Sequence, residues 1–167
     1  MDFEWMVKGA WERSDEAKVG LGVAQRLHEA IDYAAIESRV EAWRMGAPGR
    51  ETSREIQALV ALAAEPLGFS SERRGIFREM NLELRPDLFN AELGILLEVE
   101  RGGANTNNHD LKDFWKCHLC PSAAWLFLAL PERVHGGRPF STTRRRFAQF
   151  FQPGNEVNVH GVALFGY

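Results

Sequence analysis

Residues 82–101 read LELRPDLFNAELGILLEVER, two runs that alternate apolar and charged side chains and meet at Asn90-Ala91-Glu92. Alternation with a period of two puts successive side chains on opposite faces of a strand, so the pattern predicts a β-hairpin. In the first strand Leu82, Leu84, Pro86 and Leu88 share one face, with Glu83, Arg85 and Asp87 on the other. In the second, Gly94–Arg101, Ile95, Leu97 and Val99 share one face and Leu96, Glu98 and Glu100 the other. With the turn near 91–92, Asp87 comes across from about Leu96 and lies diagonal to Glu98. Diagonal cross-strand neighbours sit roughly 7–8 Å apart or less, within reach of one shared divalent ion. A strand this apolar belongs inside the protein, where charges are costly unless a metal or a function compensates.

Pro86-Asp87, a gap of ten residues, then Glu98-Val99-Glu100 resembles the PD-(D/E)XK motif of restriction-endonuclease-like phosphodiesterases. Glu100 stands where the usual lysine would be, as in the minority of restriction endonucleases that read E-X-E. The resemblance spans roughly residues 50–131. It implies a three-layer α/β/α (or α+β) core with a mixed central sheet, and hydrolysis of DNA phosphodiesters that depends on Mg²⁺, with Mn²⁺ as a substitute. Asp87 and Glu98 would ligate the ion. A helix before the hairpin often adds one more carboxylate in this family; Glu55 is the candidate here and Glu51 the second. In some relatives a basic residue from the following helix stands in for the motif lysine, which points to Lys116 or Lys112. A homodimer is implied if both strands of a duplex are cut, because one metal site per chain faces one strand.

The chemistry suits these residue types. Phosphodiester hydrolysis needs a water made nucleophilic near neutral pH and a stabilised phosphate, and carboxylates with waters are the preferred ligands of Mg²⁺. Glu100, two residues from Glu98, shares its sheet face and would orient or deprotonate the water. Unlike lysine it offers the phosphate no positive charge, a role left to a second metal, Arg101 or a helix lysine. The bland alternative is a solvated strand end with Arg101 paired to Asp87 or Glu92.

At 167 residues, with 45% hydrophobic and 26% charged side chains, the chain reads as one globular domain with a real core. The net charge of −3 gives no whole-molecule attraction to nucleic acid, so DNA contact must come from a local patch. No apolar run approaches the ~20 residues that cross a bilayer. The opening MDFEW lacks the basic and apolar regions of a secretory signal. A soluble cytoplasmic protein with no membrane partner is the expectation.

In chain order, residues 1–20 read as an arm or short element. Residues 21–44 form an amphipathic helix through Leu21, Ala24, Leu27, Ile31, Ala34, Ala35 and Val40, ended by Gly46 and Pro48. The arm and this helix, residues 1–48, pack on the core. A second helix is expected from Glu51 to about Ala64 on Ile56, Leu59, Val60 and Ala63. Phe69–Met80 carries Arg73, Arg74 and Arg78, either as an outer strand or as an irregular connection. After the hairpin, Gly102-Gly103 and an Asn-rich loop lead to Asp110, the expected N-cap of a helix Leu111–Leu119. Leu111, Phe114, Trp115 and His118 or Leu119 make its apolar stripe. Ala123–Leu130 is a central strand buried on both faces. Residues 132–167 hold a helix from about Ser141 to Gln152 and a last strand, Val157–Phe165. No acidic residue interrupts Arg133–Phe151, and Arg144, Arg145 and Arg146 make that helix the candidate phosphate-contacting surface. A basic helix is also often only a solvated face.

Cys117-His118-Leu119-Cys120 offers two ligands where structural zinc wants four, so buried free cysteines are the expectation and zinc is not. His109 is a candidate acid for the leaving oxygen, against the commoner role of a polar residue that positions its helix. Two other function classes stay open. One is a nuclease-fold module, weak or inactive in catalysis, that binds nucleic acid or a protein partner. The other is a different metal-assisted hydrolase of small phosphodiesters. Metal binding that depends on Asp87 and Glu98 separates the first of these from a nuclease.

Overall fold

The structure is a computed structural model that describes residues 1–71, 76–77, 84–100, 108–134 and 136–167. The expectations for Arg73, Arg74, Arg78, Leu82, Glu83, Arg101 and the glycine- and Asn-rich loop after it fall outside these residues.

The arm or short element expected at the N-terminus includes a strand. Phe3–Val7 (β1) pairs antiparallel with the last strand, Phe3 against Phe165 and Val7 against Gly161. The expected single helix over 21–44 is two helices, Asp15–Ala30 (α1) and Tyr33–Arg44 (α2). Ser14 caps the first by accepting the Ala17 amide at 3.0 Å, ahead of Asp15 and Glu16 in the first turn. The break comes at Ile31, which adopts extended backbone, and Asp32 then caps α2 by accepting from Ala35 N at 2.9 Å. Short acceptors of this kind satisfy amide groups that a helix start leaves unpaired, so they begin helices more readily than they extend them. The third helix, Gly49–Ala64 (α3), buries Thr52, Ile56, Val60 and Ala64 at four-residue spacing. A short 3-10 turn through Pro66 and Gly68 closes it.

The hairpin is present but shorter than expected. Leu88–Asn90 (β2) pairs antiparallel with Ile95–Val99 (β3), while Leu84–Asp87 precede β2 without strand pairing. Its turn takes four residues, Ala91–Gly94, so Leu88 faces Leu97 and Phe89 faces Leu96. One step beyond these pairs, Asp87 comes directly opposite Glu98. The diagonal placement expected from a tighter turn is thereby corrected by two residues. Gly94 permits the turn: its φ is +63°, and a Cβ there would lie 3.0 Å from the carbonyl oxygen of Ser122.

Three further elements finish the fold: His109–Leu119 (α4), Trp125–Leu130 (β4) and Pro139–Phe150 (α5). The last strand, Gly161–Gly166 (β5), starts later than the expected Val157. The sheet order is β1-β5-β4-β3-β2, with β3, β4 and β5 parallel and the two outer strands antiparallel to their neighbours. Parallel neighbours require crossover connections, which α4 and α5 supply. The observed fold is α+β with a mixed five-stranded sheet.

Both sheet faces are covered. Ile95, Leu97, Val99, Phe127, Ala163 and Phe165 pack under α1, α2 and α3. On the opposite face Leu96, Leu126, Leu128, Val162 and Leu164 pack under Phe114, Cys117, Phe140 and Phe147 of α4 and α5. Burial on both faces is why β4 reads as an unbroken apolar run. Each such side chain contributes roughly 1.5–3 kcal/mol by leaving water. Among the described residues no helix is long and apolar enough to cross a membrane.

Candidate functional site

The parallel strands end together. Past the last residues of β3, β4 and β5 lie Glu100, Pro131 and Tyr167, and these three line a cleft of about 550 Å³. A cleft at the carboxyl ends of parallel strands is the usual ligand position in open α/β sheets. Its floor is acidic, with Asp87, Glu98, Glu100 and Asp113, and carries Lys112, Lys116 and His109 from α4. The lining from α2 and α3 mixes apolar Val40, Trp43 and Ile56 with Gly49, Thr52 and Ser53.

Glu98 is the centre of the floor. It belongs to a strand whose other four residues are apolar, and only 4% of its side chain is exposed. Its Oε1 takes the Lys116 ammonium at 2.8 Å and its Oε2 accepts the Asp87 amide at 3.4 Å. Asp87 returns the contact to the strand, since its Oδ2 accepts Val99 N at 2.9 Å. Lys116 also reaches Asp113 Oδ1 at 2.8 Å, and all three of these side chains are nearly dry. The ammonium thus bridges two buried carboxylates. Burial alone would lower the lysine pKa, but Glu98 and Asp113 outweigh it and hold Lys116 above its ordinary range.

The carboxyls shift the other way. Burial first, then the charge of Asp113, push Glu98 well above the usual carboxylate range, with Lys116 opposing. Burial raises Asp113 as well, against the pull of Lys116. Glu100 is pushed up to about 8 by burial first and by Asp113 second. Asp113 Oδ2 is buried and accepts no hydrogen bond from the described residues while all the acids are ionised. A hydrogen bond between the two carboxyls adds to the rise of Glu100 and works against the rise of Asp113, burial being the first cause of both. His109 Nδ1 lies 3.3 Å from Glu100 Oε2, and the Tyr167 hydroxyl donates to the Glu100 carbonyl. Lys112 lines the same cleft and is exposed.

The structure therefore brings together Asp87, Glu98, Glu100, Lys112, Lys116 and His109. It does not bring in Glu55, whose carboxylate lies 3.4 Å from Arg39 Nε on the α2-facing side of α3. The turn of α3 at the cleft presents Thr52, Ser53 and Ile56 instead, because the buried stripe runs through Thr52 and Ile56. Glu51 is exposed and does not line the cleft either.

The basic helix is also placed elsewhere. No residue of α5 lines the cleft. Arg146 binds Asp110, with Nη1 3.0 Å from Oδ1, and Arg144 Nε lies 3.0 Å from Glu4 on β1 at the far edge of the sheet. Arg145 is exposed. Asp110 is not the cap of α4: Asn108 holds that position with a positive φ of 53°. Asp110 is fully buried inside the first turn and ties α4 to α5 by accepting from Thr143 Oγ1 at 2.9 Å and from Arg146. The expected stripe of α4 is likewise turned, because Trp115 and Leu119 are exposed while Asp113, Phe114, Lys116 and Cys117 are buried. Cys117 and Cys120 are free and buried.

Sequence reasoning missed Asp113. Asp110, Asp113 and Lys116 recur every three residues beside Phe114 and Cys117, which is the spacing of one helix face. A charged triplet in phase with the apolar stripe was the available signal.

By donor type the floor suits a hard divalent cation, because every acid in it offers oxygen and Asp113 Oδ2 is an orphaned acceptor. Among the described residues no three His, Cys, Asp or Glu side chains are gathered around one point. The reason is visible in the distances: Lys116 stands between Glu98 and Asp113, and Val99 N occupies one oxygen of Asp87.

No protein-family model matches the chain, and no curated protein matches it.

Proposed function

We propose that the protein hydrolyses phosphodiester bonds in DNA with a divalent cation, in the manner of a restriction-endonuclease-like enzyme with a Glu-x-Glu motif. One observation carries the reading. Asp87 lies directly across from Glu98 at the carboxyl edge of the parallel strands, in a cleft that also holds Glu100 and a buried lysine. Asp87 and Glu98 are the pair that would hold Mg²⁺ or Mn²⁺, as the resemblance implies. When bound, the cation supplies positive charge that lowers the carboxyl pKa values and stabilises the phosphate in the transition state.

The chain's own residues do the rest. Glu100, raised to about 8 by burial and Asp113, would take a proton from an attacking water once the charge of the cation favours its ionised form. Lys116 would stand in for the motif lysine, as the resemblance implies, and orients Glu98 through its 2.8 Å contact. His109, 43% exposed and beside Glu100, stands within the same cleft to return a proton to the leaving oxygen.

A second reading has its own observation. Lys116 already neutralises Glu98 and Asp113, as it would in a fold kept for binding nucleic acid or a protein partner with little or no catalysis. Plasmid DNA incubated with Mg²⁺ or Mn²⁺ separates the two. Nicking or cutting by the wild type, lost in both Asp87→Asn and Glu98→Gln, supports the nuclease. No cutting, together with no heat of Mg²⁺ binding by calorimetry, refutes it and leaves the binding module.

A further inference from the structure

The basic surface that continues the cleft is not the helix rich in arginines. A hollow of about 320 Å³ is lined by Arg44, Arg133, Val134, Gly136, Gly137 and Arg138. Its three arginines come from two parts of the chain: the last residue of α2 and the two flanks of a tight turn after β4. That turn is held by its own backbone, with Val134 N donating to Gly137 O at 3.2 Å and Gly137 N to Val134 O at 2.8 Å. Arg133 and Arg138 are exposed and have no acidic partner among the described residues. Arg44 has a solvent-screened contact with Glu41 at 3.2 Å, both side chains being more than half exposed.

Among the described residues no carboxylate lines this hollow, although the chain as a whole is acidic. Val134 belongs both to it and to the catalytic cleft. A smaller hollow shares Arg44 and Arg133 with it, and Val40 and Tyr167 with the cleft. Glu37 and Glu132 border that smaller hollow, and Glu132 is spent on the N-terminus: Oε1 accepts Asp2 N at 2.8 Å and lies 3.7 Å from the Met1 amine. Through Val134 the hollow lined by three arginines lies next to the cleft that holds the acidic floor. Arginine forks match phosphate oxygens in pairs.

We propose that Arg44, Arg133 and Arg138 bind the phosphate backbone of the nucleic acid strand that enters the cleft, and that Arg144 and Arg145 of α5 do not. The proposal rests on the nucleic-acid reading of the site but not on catalysis. Phosphate contacts release counterions, so each one lost removes close to one unit from the slope of log affinity against log salt.

The test is binding of a fluorescent duplex oligonucleotide in EDTA, where no cutting occurs, from low to moderate salt. The double variant Arg133→Gln/Arg138→Gln should bind about tenfold more weakly at low salt, with a slope smaller by about 2. Arg133→Lys/Arg138→Lys, which keeps the charge, should recover most of the slope. Arg144→Gln/Arg145→Gln should match the wild type. An unchanged slope in the glutamine variant, a larger loss in the α5 variant, or no binding by the wild type overturns the proposal. Cutting that persists with an unchanged slope would sink this surface and leave the nuclease standing. Arginine-dependent binding without any cutting would do the reverse.

Discussion

Replacing Lys116 with Met removes the ammonium while keeping most of the side-chain volume. In the wild type it lies 2.8 Å from both Glu98 and Asp113, with side-chain exposures of 9%, 4% and 3% for the three residues. Without it two carboxylates face each other in a nearly dry site. Removing one partner of a buried pair costs about 3–5 kcal/mol. The acids can limit that cost by taking up protons, so the loss must depend on pH. A carboxyl whose folded pKa is raised binds its proton more tightly in the folded protein and releases it on unfolding. Stability therefore falls as pH rises from the ordinary value near 4.5 towards the folded pKa, by at most about 1.4 kcal/mol per pH unit for each proton. Glu98 and Asp113 are already raised, and losing the lysine raises them further, which extends the window upward. Urea unfolding should show Lys116→Met less stable by about 1–2 kcal/mol at pH 5 and by about 3–5 kcal/mol at pH 8. With an m-value of about 2 kcal/mol/M, the pH 8 midpoint drops by roughly 1.5–2.5 M. A difference that does not change with pH, or one below about 1 kcal/mol at pH 8, would refute the bridging of two buried acids by Lys116.

Asp110→Asn should weaken the tie between α4 and α5, because a buried carboxylate serves both Thr143 and Arg146; the expected loss is about 2–3 kcal/mol by urea unfolding, discounted because Arg146 is 31% exposed. Gly161→Ala would put a methyl group 2.5 Å from the Trp125 ring and 2.8 Å from the Met6 carbonyl oxygen, and should destabilise by roughly 1–3 kcal/mol in thermal melts; an unchanged melting temperature would refute that packing. The nuclease reading adds the loss of plasmid cutting in Asp87→Asn and Glu98→Gln, and the arginine-lined hollow adds the salt slope of oligonucleotide binding.

Much of the fold was legible because its signals are local. The alternation in β3, the unbroken apolar run of β4 and the four-residue stripe of α3 each show their period within a few residues. The N-terminal strand was not legible, since Phe3–Val7 is a strand only through its pairing with β5, more than 150 residues away in the chain. The break between α1 and α2 was open to reading in Asp32, which caps a helix more readily than it continues one. The register of the hairpin turned on the length of its turn. Two more residues there moved Asp87 from a diagonal position to one opposite Glu98.

The acids at the hairpin and the charged triplet on α4 are properties of the sequence, because strand and helix periods dictate which of them share a face. Which of those faces meet is a matter of tertiary packing. Glu55 and Glu98 were equally acidic on paper, yet α3 turns Glu55 towards Arg39 while β3 buries Glu98 against Lys116. The arginines of α5 looked like the cationic surface until Asp110 and Glu4 were seen to hold two of them. Side-chain chemistry is written residue by residue, but charge acts through distances and solvent exposure. Those exist only once the helices have been laid on the sheet.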